Sequence, residues 1–208
     1  MEYSDSIHIY LIRHGMTKYN TEKKYLGHTD IPVIQEKLRD YNQLHETLNR
    51  IKFDAVYCSD LLRCRQTASF LFGKESIIFD QRLREMHFGD WEGKTYEQLK
   101  YEPAYCKWLS DWETECIPNG ENWERFKSRI QQFLHEGILL EENRGKTITI
   151  VSHGGVIRQI VSGLNDELAF WDVNVKFGEA IVLVINTTGG DFKCTSLSVV
   201  PTAENANS

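Results

Sequence analysis

Proline is scarce in this chain, with 4 in 208 residues, and no run of about 18 apolar residues occurs anywhere in it. The second absence gives no membrane-spanning segment, and no membrane partner is expected. The five cysteines (Cys58, Cys64, Cys106, Cys116, Cys194) contain no CxxC and suit no disulfide framework. Reduced thiols in a cytoplasmic protein are expected instead. The opening MEYSDSIHIYLIRHG lacks a basic segment followed by an apolar run and a small-residue cleavage site, so no export signal is expected. The seven histidines show neither HxH nor HxxxH spacing, and no acidic cluster accompanies them. We therefore expect no metal site and no cofactor. Positive charge is also in deficit: 24 basic residues against 30 acidic ones give a net charge of −6. General nucleic-acid binding is excluded on that balance, and any anion site must be a local concentration of cations. Nothing in the sequence fixes an oligomeric state.

What is present is a chain of ordinary composition, 41% hydrophobic and 26% charged, long enough to bury a real core. Apolar residues around Ile7, Ile9 and Leu11 read as a buried strand ending at Arg13-His14-Gly15. Helical spacing of Leu38, Tyr41, Leu44, Leu48 and Ile51 predicts a helix from about Ile34 to Ile51. Further strands are predicted at 55–59, 76–79, 147–152, 178–185 and 192–199, the last two joined by a Thr-Thr-Gly-Gly turn. Helices are predicted from Leu61 to Phe72, from Glu92 to Asn143 with breaks at Pro103 and at Ile117-Pro118-Asn119-Gly120, and from Gly154 to about Leu164. Alternating strands and helices predict one α/β domain over 1–208. It is expected to be a three-layer α/β/α arrangement with a mostly parallel central sheet and a helical cap at about 86–145.

Three charged motifs fall at equivalent places: Arg13-His14-Gly15, Ser59-Asp60-Leu61-Leu62-Arg63 and Ser152-His153-Gly154-Gly155. Each follows a predicted strand, where open α/β sheets build their ligand crevice. Two imidazoles and two guanidiniums converging there repel one another unless an anion joins them, and phosphate matches guanidinium forks. Gly154 and Gly155 open a helix whose backbone N–H groups face the crevice. Gly15 is expected to let the chain turn sharply beside His14. Singly, each element reads as a loop polar group, a surface arginine or a turn; the joint placement is what points to an anion.

These residues also resemble a family. Leu-Ile-Arg13-His14-Gly15-Met-Thr17-Lys-Tyr-Asn20 resembles the signature of the histidine phosphatase superfamily, which includes the cofactor-dependent phosphoglycerate mutases. Ser59-Asp60-Leu-Leu-Arg63, Leu83-Arg84-Glu85-Met86 and Ser152-His153-Gly-Gly follow in the family's order. The resemblance implies a metal-independent phosphomonoesterase acting on a small phosphate ester through a phosphohistidine at His14. It implies that Arg13, Arg63 and His153 hold the phosphoryl oxygens, with Thr17, Asn20, Gly27 and Gly154 as further substrate contacts. It also implies that Glu85 protonates the leaving alkoxide, a proton that the like charge of a phosphoryl dianion helps it to hold. From the residues alone, Asp90 or Glu92 could serve equally. Lys37 stands where many relatives have a glycine, which places a departure at the start of the first long helix.

Tyr25-Leu-Gly27-His28-Thr29-Asp30 and the stretch from Met86 to Tyr96 resemble α-ribazole and broad-specificity phosphatases of the same family. No two arginines are adjacent in this sequence, whereas the mutases carry such a pair, and Phe88 replaces their tyrosine. A phosphatase is therefore expected, acting on α-ribazole 5′-phosphate or another small ester; mutase-type transfer and a non-catalytic phospho-ligand module are the alternatives. Trp91, Trp108, Trp112 and Trp123 crowd into the segment after Glu85 with Tyr96, Tyr101 and Tyr105. They either pack the cap or line an apolar wall for the alcohol, with Trp91 and Tyr96 the expected contacts. A cysteine phosphatase is disfavoured, because its loop needs five residues between cysteine and arginine and four separate Cys58 from Arg63.

Overall fold

The computed structural model describes residues 6–73, 75–186 and 192–201. Its six strands are β1 (Ser6–Arg13), β2 (Ala55–Cys58), β3 (Ile77–Phe79), β4 (Thr147–Ser152), β5 (Ala180–Asn186) and β6 (Lys193–Val200). They form one sheet in the order β3-β2-β4-β1-β5-β6. Pairings β1–β4, β2–β3 and β2–β4 are parallel, and β5 runs antiparallel to both β1 and β6. The Thr-Thr-Gly-Gly turn lies outside the described residues.

Side-chain alternation sorts the strands between two cores. Ile7, Ile9, Leu11, Ile148 and Ile150 face one, together with α6 (Trp123–Phe133) and α7 (Gly154–Leu164). Ile12, Val56, Cys58 and Val151 face the other, together with α2 (Asn42–Leu48) and α3 (Leu62–Phe72). The result is the three-layer α/β/α architecture. Short helices α1 (Lys18–Thr21), α4 (Tyr96–Leu99) and α5 (Pro103–Ser110) complete the set.

One helix expectation is corrected. Instead of one α-helix from Ile34 to Ile51, a 3₁₀ stretch at Gln35–Tyr41 precedes α2. Leu38, Tyr41 and Leu44 are spaced by three, which three residues per turn places on one buried face. This is also where Lys37 departs from the family pattern. The run from Glu92 to Asn143 breaks at both of the places expected. Pro103 starts α5 after an extended Glu102, as a proline at the first helical position does, and Asn122 caps α6 through the amide of Arg125. Helix α6 lies in the sheet-covering layer beside α7, its Phe133 ring 5.4 Å from Tyr57 of β2. No helix among the described residues is long and apolar enough to cross a membrane.

Candidate active site

The strands β2, β4 and β1 are neighbours in the sheet, so their carboxyl ends deliver Ser59, His153 and His14 to one place. The two imidazole rings sit 5.1 Å apart, edge to face. His14 is buried and its Nδ1 lies 2.7 Å from the carbonyl oxygen of Gly15. A carbonyl only accepts, so Nδ1 carries the proton and Nε2 keeps its lone pair. Burial, then Arg63 and Arg13, push the imidazole well below the usual histidine value, so it is neutral.

The backbone here is tied down by hydroxyls. Tyr41 donates to the carbonyls of Arg13 and His14 at 2.9 Å each. Thr67 accepts from Gly15 N at 2.8 Å and donates to the Arg63 carbonyl at 2.7 Å. Gly15 does not have the left-handed conformation expected of a sharp turn. It packs closely instead, since a Cβ there would stand 2.9 Å from a Leu38 methyl and 3.2 Å from a Val33 methyl.

Arg63 is fully buried and each arm is committed. It donates to the carbonyls of Thr29 at 3.0 Å and Gly27 at 2.6 Å, and its Nε and Nη2 lie 3.3 and 3.1 Å from His153 Nδ1. Guanidinium N–H groups only donate, so His153 accepts at Nδ1 and donates from Nε2 to Ser59 Oγ at 2.9 Å. Burial, Arg63 and His14 hold His153 neutral as well. Arg13 has its guanidinium 4.0 Å above the Phe177 ring and donates to the Val175 carbonyl at 3.2 Å. Its Nε is buried with no hydrogen-bond partner. Arg158, one turn into α7, donates from Nε to the Val173 carbonyl at 3.1 Å. Among the described residues no carboxylate comes within ion-pair distance of Arg13, Arg63 or Arg158, whereas Arg82, Arg84 and Arg129 are each paired. In a chain of net charge −6 this is the local positive site that the composition required.

The three candidate acids separate by environment. Glu85 reaches the site with Oε2 3.0 Å from Gly155 N and Oε1 3.0 Å from Met86 N. Its own carbonyl is held by His28 Nε2 and Arg129 Nη2, both at 3.0 Å. A Cβ on Gly155 would fall 2.4 Å from Glu85 Oε1, so glycine is needed there for the carboxylate to dock. Asp90 faces away, bonded to Asn119. Glu92 is enclosed by the amides of His28 at 2.7 Å and Thr29 at 2.6 Å and by the Thr29 hydroxyl. Burial works to raise its carboxyl, but those bonds outweigh it and hold it below the usual value.

Thr17 and Asn20 face one another in the capping box of α1, where Asn20 Oδ1 accepts from Thr17 N at 3.0 Å. Any ligand contact from Asn20 must come from its NH₂. Gly27 acts through its carbonyl on Arg63, and Gly154 begins α7. Beside Glu85 opens a cavity of about 480 Å³, lined chiefly by Tyr25, Phe88, Trp108, Trp112, Trp123, Phe126, Phe170 and Trp171, with Arg158 among them. The aromatic wall is there, but Trp91 and Tyr96 do not line it. Trp91 is 1% exposed, packed 5.2 Å from Tyr105 and 5.3 Å from Trp108, and Tyr96 is 52% exposed on the outer surface. Sequence reading missed Tyr41, Phe170, Trp171, Phe177 and Arg158. Only Arg158 carried a signal, standing four residues after Gly154 and so on the same helix face. Among the described residues no group of three His, Cys, Asp or Glu side chains is placed to hold a metal ion.

A family model for the histidine phosphatase superfamily, branch 1, matches residues 9–199. The chain is 33% identical over 160 residues to the adenosylcobalamin/α-ribazole phosphatase of Escherichia coli, a match covering 75% of this chain and 78% of that one. It is also 33% identical to phosphoglycerate mutase-like protein 4 of Arabidopsis thaliana, over 75% of this chain and 70% of the relative. The crystal structure of the α-ribazole phosphatase of Shigella flexneri superimposes with a TM-score of 0.79 at 29% identity, covering 91% of this chain and 95% of that one. This chain belongs to branch 1 of the histidine phosphatase superfamily.

Proposed function

We propose that the chain is a phosphomonoesterase in which His14 is the nucleophile and a phosphohistidine is the intermediate. His14 Nε2 attacks phosphorus while the bond to the ester oxygen breaks. Glu85, protonated, gives its proton to that oxygen and the alcohol leaves. Water then attacks the phosphohistidine, Glu85 takes the water's proton, and inorganic phosphate departs. Arg13, Arg63 and His153 stabilise the charge spread over the transferring oxygens, with Asn20 and the amide of Gly154 as lesser donors. For His153 to donate from Nδ1 it must take up a proton, which a monoanionic phosphate ester brings with it, and an ester oxygen then takes the place of the lone-pair contact with Arg63. The negative charge then offsets the nearby arginines that keep the ring neutral.

The observation carrying this reading is the tautomer of His14. A buried neutral imidazole presents Nε2 among guanidiniums that, among the described residues, form no ion pair with a carboxylate. For the alcohol, the aromatic cavity supports an apolar, ring-bearing group. α-Ribazole 5′-phosphate, named in two of the relatives, is the first compound to try. The cavity and the lack of an adjacent arginine pair favour hydrolysis over mutase-type transfer, despite the mutase-like relative. Five unpaired thiols support a cytoplasmic setting.

The test is hydrolysis of p-nitrophenyl phosphate by wild type and His14→Ala, each with and without excess EDTA. Wild type should turn over equally in both conditions and the variant should not. Activity lost on chelation and restored by a divalent ion would overturn the reading.

A further inference from the structure

The cavity beside Glu85 is mostly apolar, yet it contains one cation that the phosphoryl chemistry above does not use. Arg158 lines it with Glu85 and Gly155. Its guanidinium is fixed by the bond from Nε to the Val173 carbonyl at 3.1 Å and flanked by the Trp171 ring at 5.7 Å. That leaves the two Nη groups as donors. A Cβ on Gly154 would stand 3.6 Å from Arg158 Nη1 and 3.7 Å from Arg13 Nε, so the two guanidiniums reach toward the same helix start. Arg158 counts among the groups that, after burial, lower Arg13.

The charge count then has a remainder. Arg13 and Arg63 match a phosphoryl dianion. Glu85 holds its proton when it acts as the acid, and both histidines begin neutral. Arg158 is left over, its Nε bonded to a carbonyl and no carboxylate within ion-pair distance of it among the described residues. A guanidinium in this position is matched by a carboxylate, which it binds through paired N–H groups.

We propose that Arg158 is a specificity-determining residue that selects phosphomonoesters whose apolar or aromatic alcohol carries one carboxylate close to the ester oxygen. The position of that group follows from the helix. Glu85, which must reach the ester oxygen, is held at Gly155, and Arg158 Nη1 lies beside the preceding residue, 3.6 Å from where a Cβ on Gly154 would stand. A carboxylate two or three bonds from the ester oxygen meets it, and one across a ring does not. α-Ribazole 5′-phosphate supplies the ring but not the charge, so the substrate class is narrower than the apolar wall alone defines.

The proposal rests on the phosphatase reading, and its test separates the two. Phenyl, 2-carboxyphenyl and 4-carboxyphenyl phosphates are compared by kcat/KM in wild type, Arg158→Met and Arg158→Lys. Thermal denaturation establishes that each variant folds. Comparing each ester between enzymes cancels its intrinsic reactivity. Arg158→Met should lower the preference for the 2-carboxy ester over phenyl phosphate by about 10- to 100-fold, as loss of a charge-assisted pair does. The 4-carboxy ester should follow phenyl phosphate, and Arg158→Lys should restore part of the preference. The same selectivity is read without turnover by calorimetric binding of the esters to His14→Ala and to the His14→Ala/Arg158→Met double variant. Equal losses on all three esters would place Arg158 in the phosphoryl site and overturn the proposal, as would unchanged ratios. A binding preference that depends on Arg158, in a wild-type enzyme that hydrolyses none of the esters, would uphold the proposal and refute the phosphatase reading.

Discussion

The two halves of the site are built by opposite rules. The phosphoryl half consists of polar groups whose partners are individually fixed: His14 on Gly15, Arg63 on Gly27, Thr29 and His153, and His153 on Ser59. The alcohol half is a wall of rings from sequence positions as far apart as Tyr25 and Trp171, joined mostly by contact, with the Tyr25–Tyr105 hydroxyl pair at 2.6 Å as an exception. Trp112 makes this plain: its ring lies 4.3 Å from Trp123, 5.3 Å from Phe170 and 5.5 Å from Trp171, with centroids and no directed bond defining the contacts. Directional bonds demand particular residues at particular spacings, whereas apolar packing demands only volume. The first half should therefore be brittle to conservative substitution and the second selective rather than essential.

The strongest break in that contrast is at the nucleophile. His14→Ala should lower turnover of every ester by on the order of 10⁴-fold or more, measured by phosphate release, because no other group can take its place. A drop of less than tenfold would mean that another residue attacks.

Next comes the acid. Glu85→Gln should slow an alkyl phosphate by about 10²- to 10⁴-fold and p-nitrophenyl phosphate far less, since nitrophenolate needs little protonation. Gly155→Ala should reproduce the pattern in weaker form by displacing the carboxylate from its docking amide. Asp90→Asn should leave the ratio between the two esters unaltered. If it matches Glu85→Gln on the alkyl ester, the acid has been misassigned.

On the aromatic side, Trp112→Ala or Trp123→Ala should cost a ring-bearing ester about 5- to 150-fold in kcat/KM relative to glycerol phosphate. Trp91→Ala is the control. It empties a buried position, so thermal denaturation should show a loss of about 3–5 kcal/mol while both esters keep their ratio. Equal losses on both esters in the Trp112 and Trp123 variants would reduce the wall to packing.

These differences explain what could be read in the sequence. The strands were legible because β-branched runs such as Thr147–Ser152 are buried on both faces. Their order and the convergence of three strand ends follow from parallel topology. Arg13, His14, Arg63, His153 and Glu85 belong to short contiguous motifs, and each is brought to one place. Trp91 and Tyr96 were misjudged because proximity to Glu85 in sequence does not say which ring faces inward; Trp91 turned into the core and Tyr96 outward. Phe170 and Trp171 lie in a three-residue 3₁₀ turn, too short for periodicity to mark them. The 3₁₀ stretch before α2 was hidden because spacings of three and four both read as helix.

The smallest effect expected is on stability. His14 and His153 are neutral in the fold, with values held below the usual 6.5 or so, but take up protons in the unfolded chain. The unfolded chain binds more protons in that window, so the fold should lose stability as pH falls through about 6.5. Denaturation midpoints between pH 7.5 and 5 check this, and a rise on acidification would contradict the neutral assignment.

The central claim is that His14 presents Nε2, because Gly15 holds the proton on Nδ1. It is tested most directly by trapping the phosphoenzyme at neutral to alkaline pH and locating the phosphorus by ³¹P–¹⁵N correlation on histidine-labelled protein. Phosphorus bonded to Nε2 of His14 is the predicted result; phosphorus on Nδ1, or on His153, would contradict it.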